Sequence, residues 1–344
     1  MDGFTAEGAE SAENRVKGAK LTCSGAGRIV AQSLGAGSLG RYSYEVASMG
    51  YQVGEHTYEP VEGWGTLPEG YEFFQVAGVA ADSEDNIYLF TRSDHKVMVL
   101  DRDGNFLRAW DVGFDQPHGM TIGHDGNLYF ADMGSHTVTK YSPEGELLMT
   151  LGNKDQPSDT GGEVEQFLVV KAAGPFNRPT GIAANGSGEI FVSDGYLNAR
   201  VHKFAADGTY LLAWGAPGKT APSNFHNPHG IGIDPAGRVV VCDRENHRLQ
   251  LFDQDGNFLD IWTADFRLPT SVCFGPDDTV LVTELQSRFS ILDGDGNLIG
   301  RWGGEESRTP GQFVAPHCVT VDSHGDIYIG EVLEGQRVQK FARV

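Results

Sequence analysis

The segment NPHGIGIDPAGRVVVCDRENHRLQLF, residues 227–252, packs three short apolar runs between turn residues. IGI, VVVC and LQLF are each too short for a helix, and the Gly, Pro, Asp and Asn between them are hairpin chemistry. After Phe252 comes DQDG and then NFLDIW, a fourth run behind another tight turn. The same pattern recurs from Val76, Gln116, Arg178, Leu268 and Ala315, so the chain holds six such units. A repeat of about 40 residues with three hairpins is one blade of a β-propeller. One blade cannot bury both its faces, so the units stack around an axis. The sequence therefore predicts an all-β, six-bladed β-propeller.

The sixth unit ends at Val344 without the outer strand that the others carry after their turn. Ring closure needs a strand from before blade one, and the candidates are RYSYEV (Arg41–Val46) and HTYEPV (His56–Val61). Such closure also removes an exposed sheet edge. Residues 1–40 are rich in Gly, Ala and Ser without periodicity and are read as a disordered segment or appendage; residues 41–344 are read as the single propeller domain. An insertion from Asn153 to Phe176 separates blades two and three, long enough to overhang a channel mouth.

Composition fits this frame. Gly is 46 of 344 residues, an excess that many tight turns require. The formal net charge of -21 repels phosphate backbones and anionic lipid, which argues against nucleic-acid and membrane partners. No window is apolar for long enough to span a bilayer. The N-terminus lacks a basic-then-apolar leader, and four scattered cysteines (Cys23, Cys242, Cys273, Cys318) lack CxxC spacing; together these predict a cytoplasmic chain with reduced thiols.

One column of the repeat carries chemistry. Just before the first strand of each unit, where the text reads PHG or PTG, the residues in order are Ala77, His118, Thr180, His229, Thr270 and His317. A single PHG is an ordinary turn, but three histidines on alternate blades lie a third of a turn apart at one depth. They converge as a three-histidine metal site with an open fourth position. Zinc is the default ion for neutral imidazoles, with iron or another divalent metal compatible. A second column, after the second strand, reads Thr91-Arg92 in blade one, Asp132-Met133 in blade two, Asp194-Gly195-Tyr196 in blade three and Asp243-Arg244 in blade four. The aspartates are read as turn-forming. Arg92 and Arg244 stand on opposite blades, one to either side of the proposed metal, and Tyr196 on a third blade at the same level as they are. His95, His136 and His247 fall at turns and are read as exposed; His226 precedes His229 by three residues and is either supporting or idle.

The motifs PHG at His118, SDGYLNARVHKF (193–204), PHGIGID and DRENHRLQLF (229–252), PHC at His317 and TRSDHKVMVLD (91–101) together resemble peptidyl-α-hydroxyglycine α-amidating lyase, an NHL-repeat propeller enzyme. The likeness runs from about residue 60 to the end of the chain and covers all six units. It implies that His118, His229 and His317 hold zinc, that Tyr196 is the base, and that Arg92 and Arg244 flank the substrate. The implied reaction splits an α-hydroxyglycine unit into an amide and glyoxylate. Cations beside a phenol favour its phenolate, which fits Tyr196 as a base, and guanidinium groups suit a carboxylate substrate. The implied partner is thus a small molecule carrying an amide and a carboxylate; the sequence is silent on oligomeric state. Two departures stand out. Leu197 replaces the cysteine that secreted animal members carry after the tyrosine. Cys318 replaces an aspartate that binds a structural calcium, leaving only the backbone carbonyls of Val79 and Met120 for that ion. Two other readings stay open on the residues alone: a metal-dependent hydrolase or hydratase of a small amide, ester or lactone, and a non-catalytic NHL interaction scaffold.

Overall fold

The computed structural model describes residues 50–111, 113–163 and 169–344. It is all-β apart from one turn of 3-10 helix, Arg244–Asn246. Five antiparallel four-stranded sheets follow the predicted units. Their innermost strands are Val76–Ala81, Pro117–Ile122, Pro179–Ala184, Pro228–Ile233 and Pro269–Phe274, and Pro316–Val321 is the innermost strand of the sixth sheet. Each innermost strand packs on the one before and after it, the sixth on the first, so the six enclose a central channel.

His56–Val61 closes the ring. It pairs antiparallel with Arg337–Arg343, Tyr58 opposite Arg343 and Val61 opposite Lys340, and Tyr51–Val53 adds a fifth strand outside it. The other candidate, Arg41–Val46, lies outside the described residues, as does the segment read as an appendage. The closure is reinforced across the seam between blades six and one, where Arg102 donates to the buried carboxylates of Asp322 and Asp326 at 2.9 and 2.5 Å.

The middle strands explain why the apolar runs are unbroken. In Val239–Asp243, Val239 and Val241 pack against blade three while Val240 and Cys242 pack against blade five. The second strand of each blade is buried on both faces, so its apolar run need not alternate with exposed polar residues. The six larger apolar clusters lie one in each gap between blades and are built around Trp, Phe or Tyr. This interlocking fixes the positions of the inner strands, and hence of anything they aim at the axis.

Candidate metal centre

His118, His229 and His317 are the second residues of their innermost strands, so they lie within the strands rather than just before them. All three are buried, with exposures of 0, 2 and 4%. Their ring centroids are 4.6, 4.8 and 4.8 Å apart, and one donor atom from each lies within 4.8 Å of the other two. Ring geometry has turned residues 88 to 199 positions apart in the chain into neighbours.

What orients them is the rest of the same column. His118 Nδ1 donates to the carbonyl of Thr180 at 2.7 Å, His229 Nδ1 to Thr270 at 2.6 Å, and His317 Nδ1 to Ala77 at 2.9 Å. A carbonyl only accepts, so the proton resides on Nδ1 and the Nε2 lone pairs point inward. Each histidine is thus held by the next blade's non-histidine member of the column. The glycine of PHG has its reason here. A Cβ on Gly119 would come within 2.4 Å of the Thr180 carbonyl, and one on Gly230 within 2.6 Å of the Thr270 carbonyl. Any side chain there would push away the strand that anchors the imidazole. Desolvation drives the three rings strongly towards the neutral form: burial holds His118 and His229 well below the ordinary histidine range and His317 down at about 3. The nearby arginines Arg92 and Arg244 add to this depression. Three neutral imidazoles with their Nδ1 protons tied to backbone are what a divalent ion requires. No other such cluster occurs among the described residues.

The threonines complete a hydrogen-bonded belt. Thr180 Oγ1 lies 2.8 Å from the carbonyl of Pro228, the residue before His229, and Thr270 Oγ1 lies 3.1 Å from that of Pro316, the residue before His317. Blade one breaks the pattern, because Ala77 has no hydroxyl. Its place is taken by Arg92, whose Nε donates to the Pro117 carbonyl at 3.1 Å, next to His118.

The other predicted residues gather above the histidines. Tyr196 Oη lies 3.2 Å from His118 Nε2 and 3.5 Å from His229 Nε2. Arg244 is buried, with its guanidinium 5.2 Å from the Tyr196 ring centre and Nη1 3.3 Å from the phenol oxygen. Glu245 accepts from Arg244 Nε and Nη2 at 3.1 and 2.9 Å; sequence reasoning passed over it, although it adjoins an arginine already singled out. Asp132, Asp194 and Asp243 are structural as read, accepting backbone N–H groups of Gln116, Asn177 and His226 at the mouths of their blades. His247 is exposed as expected, but His95 and His136 are half-buried. His95 stacks on Tyr71 with ring centres 3.8 Å apart, and His136 Nδ1 accepts from the Arg178 amide, so partners from neighbouring segments cover both rings. His226 serves through its backbone, and its Nδ1 has no hydrogen-bond partner among the described residues.

The described part of the insertion lies against the tyrosine loop. Thr160 Oγ1 donates to the Leu197 carbonyl at 2.5 Å, and the Asn198 side chain both accepts from and donates to the Ala173 backbone at 3.3 Å. These bonds brace the loop at Leu197, the position where the resemblance places a cysteine in secreted relatives.

Below the histidine plane the channel opens into a cavity of about 350 Å³ lined by the inner strands. Cys318 offers no carboxylate to a cation there. Its Sγ lies 3.5 Å from the Val76 carbonyl and close against Gly330, and burial pushes its pKa far up, keeping it a neutral thiol. Calcium takes oxygen ligands, with charge supplied by carboxylates, so these residues do not fit the family's calcium. Cys242, Cys273 and Cys318 are free thiols, and Cys23 lies outside the described residues. Among the described residues no helix is long and apolar enough to cross a membrane.

Comparison with known proteins follows the same lines. The NHL repeat model matches residues 176–204 and 225–252. The mouse NHL repeat-containing protein 3 is 34% identical over 300 residues, covering 81% of this chain and 82% of its own. A probable peptidyl-α-hydroxyglycine α-amidating lyase of Caenorhabditis elegans is 30% identical over 262 residues, 68% of this chain and 69% of the relative. Among solved structures, a gluconolactonase from Xanthomonas campestris superposes with a TM-score of 0.60 at 13% identity, covering 86% of this chain and 92% of that one, which speaks for the fold alone.

Proposed function

Since the chain belongs to the NHL-repeat propeller family that includes NHL repeat-containing protein 3 and the peptidyl-α-hydroxyglycine α-amidating lyases, we propose that it is a metal-dependent carbon–nitrogen lyase, cleaving an N-acyl carbinolamide into an amide and an aldehyde such as glyoxylate. The observation that carries this reading is the phenol of Tyr196, set 3.2 and 3.5 Å from two imidazole nitrogens and 3.3 Å from Arg244. A scaffold for protein partners has no use for that juxtaposition, and simple hydrolysis by a metal-activated water does not require the tyrosine.

His118, His229 and His317 would hold the ion, zinc by ligand type. Bound there, it supplies Lewis acidity to substrate oxygens. The remaining chemistry belongs to the chain. Tyr196, as the base, takes the proton of the carbinol hydroxyl. The electron pair of that O–H bond becomes the second bond of the aldehyde carbonyl, the C–N bond breaks, and the departing amide nitrogen takes up the proton that Tyr196 has just received. Arg244 steadies the phenol oxygen, and Glu245 fixes the guanidinium from behind. With Arg244 already paired, Arg92 is the guanidinium left to receive a substrate carboxylate through charge-assisted hydrogen bonds.

The test is a product assay with α-hydroxyhippurate. Glyoxylate and benzamide should appear in equal amounts, and Tyr196→Phe should keep its metal while losing turnover by a factor of about 100 or more. Cleavage of an ester or lactone without any glyoxylate would replace the lyase reading with a hydrolase, and a metal-free protein inert to both substrates would leave a scaffold.

A further inference from the structure

We propose that Gln75 is a specificity-determining residue: it holds Arg92 in place without neutralising it, and so tunes the site to an anionic substrate. The inference rests on the lyase reading above and names what that reading leaves open, the group that selects charge.

The two arginines flanking the site are held in opposite ways. Arg244 carries Glu245 on two of its nitrogens, so its charge is matched within the protein. Arg92 has only neutral acceptors among the described residues: Gln75 Oε1 at 2.7 Å from Nη1, and the Pro117 carbonyl at 3.1 Å from Nε. No carboxylate lies within ion-pair distance of it among the described residues. The backbone locks the pair together, since the Arg92 amide donates to the carbonyls of Phe74 and Gln75 at 3.0 and 3.2 Å. Gln75 itself sits at φ 48, a left-handed conformation that any residue other than Gly, Asn or Asp adopts at a cost, here offset by these contacts.

The neighbouring column explains why a neutral carbonyl is available. In blades three and five the threonine hydroxyl occupies the next blade's proline carbonyl. Ala77 leaves the Pro117 carbonyl to Arg92 instead. A partly buried guanidinium with neutral hydrogen-bond acceptors and no carboxylate partner among the described residues can take one from an arriving substrate. Burial lowers the Arg92 pKa from the usual arginine value, with nearby Tyr196 opposing that shift. A glutamate at position 75 would supply that counter-charge permanently, as Glu245 does for Arg244.

The experiment compares α-hydroxyhippurate with its neutral carboxamide in the wild-type protein and in Gln75→Glu, Gln75→Leu and Arg92→Ala. The ratio of kcat/KM for the acid to that for the amide should fall about 10- to 100-fold in Gln75→Glu, mostly through KM. The fall should be smaller in Gln75→Leu, with metal content intact in both. An unchanged ratio in Gln75→Glu alongside a collapsed ratio in Arg92→Ala overturns the role of Gln75 and leaves the lyase reading standing. An unchanged ratio in Arg92→Ala overturns the carboxylate dock itself. Should no variant turn over either compound, calorimetric binding of hippurate decides: weaker binding to Gln75→Glu than to wild type supports the assignment, and equal binding refutes it.

Discussion

Replacing Gly195 by alanine tests how tightly the tyrosine loop is seated. A Cβ at this position would lie 1.9 Å from the Pro228 carbonyl oxygen, 2.9 Å from the carbonyl carbon and 2.8 Å from Asn227 Oδ1. Ordinary contact begins near 3.4 Å, so the loop must retreat by about 1.5 Å (3.4 less 1.9) or the strand bearing His229 must give way. The nearest obstruction is backbone, which cannot swing aside; only Asn227 Oδ1 belongs to a side chain. Tyr196 is the next residue, and its hydroxyl works at 3.2 Å from His118 Nε2. A displacement of about 1 Å at a reacting group costs on the order of 100-fold in rate, and overpacking of this kind costs about 1–3 kcal/mol in stability. Gly195→Ala should therefore keep its metal, unfold at a lower temperature and lose turnover nearly as fully as Tyr196→Phe. Near-wild-type turnover in a correctly folded Gly195→Ala protein would show that the phenol need not sit where the structure places it, and the assignment of Tyr196 as base would fall with it.

Three further outcomes follow from the belt around the histidines. His229→Ala removes one donor of three, so metal measured by elemental analysis should fall from near one ion per chain to a small fraction. Thr270→Val deletes the hydroxyl beside the buried Pro316 carbonyl and should lower stability by about 1–3 kcal/mol in urea titrations while saturating metal still fills the site; an unaltered midpoint would make the belt ornamental. The third outcome concerns pH. The folded protein keeps all three rings neutral, His317 down to about 3, whereas unfolded histidines take up protons near pH 6.5. The unfolded state then binds more protons, so stability falls as pH drops below 6.5. Metal-stripped protein should lose about 1 kcal/mol per ring between pH 6.5 and 5.5, above the carboxylate range, and a His317→Gln variant should lose about a third less.

The repeat made the architecture legible, because hairpin chemistry and blade length are local properties of the chain. Ring closure followed from a missing strand, and His56–Val61 does supply it. The alternation of His118, His229 and His317 was visible because the propeller converts a column of the repeat into a circle. The same column held a signal that went unread: Thr180 and Thr270 alternate with the histidines, and it is their carbonyls that hold the rings. A backbone acceptor on another blade leaves no mark on residue type, so that contact could not be read from the sequence. Gln75 was missed for a related reason, since its partner Arg92 lies 17 residues away across a strand pair and nothing in the repeat singles it out. The bracing of Leu197 by Thr160 lay further still from legibility, because an insertion has no counterpart in the other units.

The belt also weighs against a purely structural role for the centre. Each imidazole donates its Nδ1–H to a carbonyl, so three Nε2 lone pairs face one another, with donor atoms no more than 4.8 Å apart. The phenol of Tyr196, near two of them, has one proton to give and satisfies at most one acceptor. The remaining lone pairs face the channel that the three histidines line, and one donor atom from each ring is available to a common ligand. Three aligned lone pairs with their outer protons tied to backbone are a donor set that could hold a divalent cation, and metal analysis of the purified protein tests that directly.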